Sequence, residues 1–190
     1  RVHDRVMRKL TFFVGVLVLA AVAYAQAFTS TPLKVGQTAP AFQLPGSDGK
    51  TYSLKQYQGK QAVVLAWFPK AHTRGCTQEC KSLGEQAAVL RSYNVALFAI
   101  SVDKPADNKK FAENLQLPYP ILSDPTRDTA KAYGVLQGLP FASRHTIYIG
   151  KDGKVLLVDN SIKTATAAAD MLKHFQQLGI EKAGPSIKKP

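Results

Sequence analysis

The alternation of apolar and polar positions along the chain predicts strands and helices in turn. Ala62–Phe68 and Val95–Val102 are unbroken apolar runs of strand length, as in strands buried on both faces. Between them, Thr77–Tyr93 carries apolar residues at Leu83, Ala87, Val89 and Leu90 with polar ones interspersed, the pattern of an amphipathic helix. Ala41–Leu44 and Thr51–Leu54 flank the turn cluster Pro45–Gly46–Ser47–Asp48–Gly49 and predict an N-terminal β-hairpin. Pro105–Leu115 predicts a helix with Asp103 near its start. Tyr119–Leu122 follows as a brief strand, and Thr126–Tyr133 as a brief helix closed by Gly134. His145–Ile149 and Val155–Val158 enclose Gly150–Lys151–Asp152–Gly153 as a second hairpin. Ala165–Leu178 is a last helix ending at Gly179, while Gly134–Ala142 has no predicted type. The order implies an α/β domain whose mixed central sheet is covered by helices on both faces.

That order fits a thioredoxin-like arrangement. With 190 residues there is room for one well-buried domain. The flanks divide off from it: 1–25 as a targeting segment, 26–36 as a linker, 37–180 as the domain and 181–190 as a frayed tail. Arg5, Arg8 and Lys9 form a basic start, and Leu10–Ala25 carries no charge. Ala23–Tyr24–Ala25 or Ala25–Gln26–Ala27 offers a cleavage site, and Met7 is a candidate start. An uncharged run of 16 residues is short for a membrane span of roughly 20 residues, which favours a cleaved signal over a retained anchor. The expected location is therefore periplasmic or secreted, with membrane contact only if the segment stays uncleaved. The net charge of +12 is high, but the basic residues are scattered and no basic run is interleaved with aromatics. This argues against a nucleic-acid site.

Chemistry is concentrated in Trp67–Phe68–Pro69–Lys70–Ala71–His72–Thr73–Arg74–Gly75–Cys76–Thr77–Gln78–Glu79–Cys80, which holds both cysteines of the chain. A cysteine where a strand passes through a loop into a helix meets backbone N–H groups and the positive end of the helix dipole, which favour a thiolate. A nearby guanidinium would add to this effect. Cys80 lies four residues along the same helix, with Cβ atoms roughly 5–6 Å apart. A disulfide needs about 3.8 Å, so a Cys76–Cys80 bridge requires the first helical turn to unwind. Trp67 reads as core or pocket wall, and His72 as exposed. Lys70 and Arg74 read as surface charges or as a source of local positive potential. Glu79 reads as a first-turn helix stabiliser that also orients a loop.

The motif Pro69, Thr73, Cys76 resembles the Pro-x-x-x-Thr-x-x-Cys of the peroxiredoxins. The fuller string, with Gly75, Thr77 and Glu79, is similar to the Q-type (bacterioferritin-comigratory) branch. Val35–Gly36–Gln37–Thr38–Ala39–Pro40–Ala41–Phe42 and Arg144, ahead of a strand and Lys151–Asp152–Gly153–Lys154, extend the likeness to about Val35–Leu178. The resemblance implies a cofactor-free thiol peroxidase acting on hydrogen peroxide or organic hydroperoxides and recycled by a thioredoxin-like dithiol reductant, as a monomer or weak dimer. It makes Cys76 the peroxidatic thiol and Arg144 its cationic partner. Pro69 would shield the loop, and Thr73 would accept from the peroxide and donate to the thiolate. The N–H groups of Gly75 and Cys76 would hold the peroxide oxygens. Cys80 is the candidate resolving thiol, although Q-type enzymes with a local resolving cysteine usually place it five residues on.

Two other readings compete. Cys76-x-x-x-Cys80 with His145 before a strand resembles Sco-type copper chaperones, and two thiolates and an imidazole suit copper; His72 is a further candidate ligand. Against this, Thr77 stands where that loop usually has proline, Pro69 and Thr73 are present, and Arg144 would repel a cation. A thiol–disulfide reductase would want Cys-x-x-Cys, which the chain lacks.

Overall fold

Every residue of Ala62–Trp67 is buried, and this strand is the axis of the molecule. The computed structural model describes residues 30–138 and 140–184. Along them run β1 (Gln43–Pro45), β2 (Thr51–Ser53), β3 (Ala62–Trp67), α1 (Arg74–Glu85), the single turn α2 (Ala87–Leu90), β4 (Val95–Ser101) and α3 (Pro105–Leu115). There follow β5 (Ile121–Ser123), α4 (Asp128–Ala132), β6 (His145–Ile149), β7 (Val155–Asp159) and α5 (Ala167–Gln177). The main sheet has the order β5-β4-β3-β6-β7. β3 pairs parallel with β4 and antiparallel with β6. The β1–β2 hairpin is antiparallel and forms a separate two-stranded sheet.

Because side chains alternate along a strand, β3 feeds two cores. Val64, Ala66 and Phe68 pack with Cys76, Cys80, Leu83, Met171 and Phe175 beneath α1 and α5. Val63, Leu65 and Trp67 pack with Phe98, Tyr133, Ile147 and Ile149 on the opposite face, under α4, the hairpin and the N-terminal stretch. Full burial on both faces explains why β3 reads as a continuous apolar run; each such Leu or Phe side chain contributes about 1.5–3 kcal/mol. Trp67 is thus core, on the face away from the cysteines.

Several boundaries differ from expectation. Helix α1 begins at Arg74, three residues before the apolar periodicity starts, because Arg74 and Gly75 add no apolar signal. It also breaks at Gln86 before the turn α2, whose Ala87 and Leu90 remain buried. Helix α3 spans the expected residues, with Lys104 as N-cap, Pro105 opening the helix and Asp103 just ahead of it.

The stretch 30–36, expected as a linker, is seated on the domain. Ser30 exchanges hydrogen bonds with Leu136, Leu33 is buried, and the Gly36 N–H donates to the Val155 carbonyl at 2.8 Å. Gly134, at φ 71°, lies so close beneath this segment that a Cβ there would overlap the Thr31 carbonyl. The tail is likewise tied down at its root, where Asn94 N–H donates to the Glu181 carbonyl and Ala183 N–H to that of Ser92, both at 2.8 Å. The loop 134–142 is closed by Ser143 N–H donating to the Val135 carbonyl at 2.8 Å. The targeting segment lies outside the described residues.

Candidate active site

β3 delivers the chain to Pro69 at its carboxyl end, and the loop 69–73 carries it into α1 with Thr73 at the N-cap in extended conformation. The first bond of the helix runs from Thr77 N–H to the Thr73 carbonyl at 2.9 Å. The N–H groups of Arg74, Gly75 and Cys76 precede it and point out of the helix start, where an anion or a polarised oxygen is favoured.

Cys76 is 1% exposed. Arg144, from the turn before β6, donates from Nη2 to Cys76 Sγ at 3.2 Å. This guanidinium stabilises negative charge on the sulfur more strongly than a neutral donor could. Gly75 lies against this guanidinium, and a Cβ at that position would stand 3.4 Å from Arg144 Nη2, in ordinary van der Waals contact. The other side of the fork, Nη1, pairs with Glu79 Oε2.

Glu79 is not in the first turn of α1. It is the sixth helical residue, 2% exposed, and turned inward to Arg144. Burial pushes its carboxyl up to about 7, against the opposing pull of Arg144. Burial in turn works against the charge of Arg144, but Glu79 and Cys76 outweigh it and hold the guanidinium protonated more firmly than usual. Glu79 Oε1 has no hydrogen-bond partner among the described residues.

Cys80 is also 1% exposed, and both cysteines are free thiols. Burial first, then the charge of Glu79, drives the Cys80 thiol far above its ordinary range. In this arrangement Cys80 is a protonated thiol.

Thr73 corrects one expectation. Its Oγ1 donates to the Lys70 carbonyl at 2.9 Å, so its proton is committed to the loop. The oxygen lone pairs remain able to accept from a peroxide O–H. Pro69 is half-buried at the loop mouth, and His72 and Arg74 are exposed as expected. Thr164, ahead of α5, donates from its hydroxyl to Gln78 Oε1 at 2.6 Å, tying the first turns of α1 to the segment before α5. This contact had no signal in the sequence.

The copper ligand set is not assembled. His145 pairs across strands with Trp67 and so shares its face of the sheet, whereas Cys76 and Cys80 lie on the other. Burial also lowers the affinity of His145 for a proton. The His72 ring lies edge-on to Phe111, with centroids 5.0 Å apart. Among the described residues no group of three or more His, Cys, Asp or Glu side chains is placed to hold a metal ion.

A mixed sheet with helices on both faces, and a buried cysteine held at a helix start by an arginine, define a thiol redox protein. Residues 35–158 match the AhpC/TSA family. Peroxiredoxin Bcp of Escherichia coli K12 is 36% identical over 141 residues, which is 70% of this chain and 90% of that protein. The crystal structure of peroxidoxin BcpB from Mycobacterium tuberculosis matches with a TM-score of 0.70 at 31% identity, covering 76% of this chain and 97% of that one. A PrxQ variant from Xylella fastidiosa matches at 0.72 and 19% identity, covering 79% and 99%, a likeness of fold. The chain belongs to the AhpC/TSA family, with the Bcp and Q-type peroxiredoxins, and has their thioredoxin-like fold. It is a thiol-dependent peroxidase.

Proposed function

We propose that Cys76 is the nucleophile and Cys80 the resolving thiol of an internal disulfide cycle. The observation that carries the first assignment is the Arg144 guanidinium on Cys76 Sγ at the start of α1. The Cys76 thiolate attacks the terminal oxygen of a hydroperoxide. An S–O bond forms, the O–O bond breaks, and the departing oxygen leaves as alcohol or water once protonated. The N–H groups of Gly75 and Cys76 face the oxygens as charge shifts to the leaving one. Thr73 accepts from the peroxide O–H, and Pro69 adds no competing donor.

Cys80 then attacks the sulfenic sulfur. The S–S bond forms and the sulfenic oxygen departs as water, taking the Cys80 proton. Two facts make this step wait for α1 to open. Side chains four apart on a helix are too distant for a disulfide, and the buried Cys80 resists ionisation. Unwinding the first turn removes both obstacles. A thioredoxin-like dithiol returns the two electrons, as a family of this type requires.

Cys80→Ser separates the steps. Its first turnover with peroxide runs at the wild-type rate, while recycling by a dithiol slows severalfold and sulfenic acid accumulates, detected by dimedone labelling. Unchanged recycling would assign resolution to an external thiol. The basic start and uncharged run at 1–25 support export, to the periplasm or out of the cell. N-terminal sequencing of the mature protein is expected to begin at Gln26 or Phe28, and a chain that retains residues 10–25 counts against it.

A further inference from the structure

Behind the thiol loop lies a buried polar cluster that the peroxidase chemistry does not use. Asp103, 4% exposed, sits just past the end of β4. Its Oδ2 accepts the Ala71 N–H at 2.8 Å and the Ser101 hydroxyl at 3.0 Å. Its Oδ1 pairs with Lys70 Nζ. Ser101 is held from below by Asn108 Nδ2 at 3.0 Å, and Asn108 by Ser123 Oγ at 2.9 Å. Ser101, Asn108 and Ser123 are all buried, so the carboxylate has a rigid base built from β4, α3 and β5.

What the base grips is a loop held in an unfavourable backbone conformation. The loop 69–73 contains His72 at φ 63°, a left-handed conformation unfavourable for a side-chain-bearing residue. Phe111 and Asp103 hold it there from two sides. Lys70 is fixed at both ends, its ammonium on Asp103 and its carbonyl on the Thr73 hydroxyl. The Lys70 side chain is 62% exposed, so the ionic part of the grip is screened and releasable. Three residues past Thr73 is Cys76. Unwinding the first turn of α1 moves Thr73, and that strains the grip on Ala71 and Lys70.

We propose that Asp103 is a positioning residue of the peroxidase cycle: by latching Ala71 and Lys70 it holds Cys76 in the peroxide-reactive arrangement and opposes the unwinding that joins Cys76 to Cys80. The releasing half rests on Cys80 being the resolving thiol. The latch therefore sets how long the sulfenic acid persists, and with it how much Cys76 a second peroxide carries on to sulfinic acid.

The test uses the full chain, pre-reduced and mixed rapidly with hydrogen peroxide. Sulfenate formation, disulfide formation and the sulfinic fraction at excess peroxide are each followed. In Asp103→Asn the peroxide step slows about tenfold, because the reacting sulfur is no longer held in register. Disulfide formation accelerates at least about threefold, the scale of coupling within one hydrogen-bond network, and the sulfinic fraction falls. Lys70→Gln, which alters only an exposed side chain, shows the faster disulfide step and decides the question if Asp103→Asn does not fold. A latch serving stability alone lowers the melting temperature and leaves both rates in place. Either step of Asp103→Asn, or the disulfide step of Lys70→Gln, remaining within about twofold of wild type overturns the proposal. If peptide mapping of the oxidised wild type finds no Cys76–Cys80 bridge, the resolving assignment has failed instead. The latch is then judged on the peroxide step of Asp103→Asn.

Discussion

Replacing Cys76 by serine abolishes peroxide consumption and leaves the fold standing. Serine is close in shape to cysteine, and its hydroxyl still accepts from Arg144, so neither the packing under α1 nor the Arg144–Glu79 pair is lost. What disappears is an ionisable nucleophile, since a hydroxyl with no adjacent base does not ionise at neutral pH. The other sulfur cannot substitute. Cys80 is equally buried, it has no guanidinium on its Sγ among the described hydrogen bonds, and burial holds it as a thiol. Peroxide loss measured with the variant, corrected for buffer, is therefore expected to be zero within error, with melting temperature near wild type.

Arg144→Ala has the next largest effect, and it strikes two properties at once. Removing one preorganised donor to a site of developing charge costs roughly 10²–10³ in rate, so the second-order rate with hydrogen peroxide falls by that factor. Arg144→Lys does not restore it, because one ammonium cannot serve Cys76 and Glu79 through a fork. The second loss is stability: a buried carboxylate deprived of its partner costs about 3–5 kcal/mol while it remains charged.

Glu79 makes that penalty depend on pH. Its carboxyl titrates near 7 in the fold, above the ordinary value of 4.5. Between those values the folded state holds a proton that the unfolded chain has released. Its contribution to stability is fully present below about 4.5 and is lost as pH rises towards 7, with a slope no steeper than about 1.4 kcal/mol per pH unit. Without Arg144 the window extends upward, so Arg144→Ala is expected to melt closest to wild type at pH 5 and furthest below it at pH 8. The double variant Arg144→Ala/Glu79→Gln recovers the melting temperature but not the rate. Recovery of both would reduce Arg144 to a structural residue.

Much of this was legible from the order of residues alone, for definite reasons. Strands buried on both faces leave unbroken apolar runs, which is why β3, β4 and β6 were predicted within a residue or two. Pro69, Thr73 and Cys76 are close in sequence, and their spacing survives in the fold as one loop and one helical turn. Arg144 could be assigned only by resemblance, because nothing local links it to a cysteine 68 residues away.

The misplaced start of α1 had a chemical consequence. Shifting the helix by three residues turned Glu79 from a buried partner of Arg144 into a first-turn stabiliser. The seating of 30–36 and of 181–183 was hidden for another reason. Both are held by backbone hydrogen bonds and by isolated side-chain contacts, such as Ser30 with Leu136, which leave no periodic pattern in the sequence. Asp103 was visible beside a helix start, but only the tertiary fold brings Ala71 and Lys70 to its carboxylate.

The most direct test mixes the pre-reduced protein with one equivalent of hydrogen peroxide in a stopped-flow instrument and counts free thiols before and after. The expected result is a fast phase whose rate rises in proportion to peroxide, then a peroxide-independent phase as the disulfide forms, with two thiols lost per peroxide consumed and none lost in Cys76→Ser. Thiols that survive, or that disappear no faster than those of free cysteine in the same buffer, would contradict a sulfur activated by Arg144 at the start of α1.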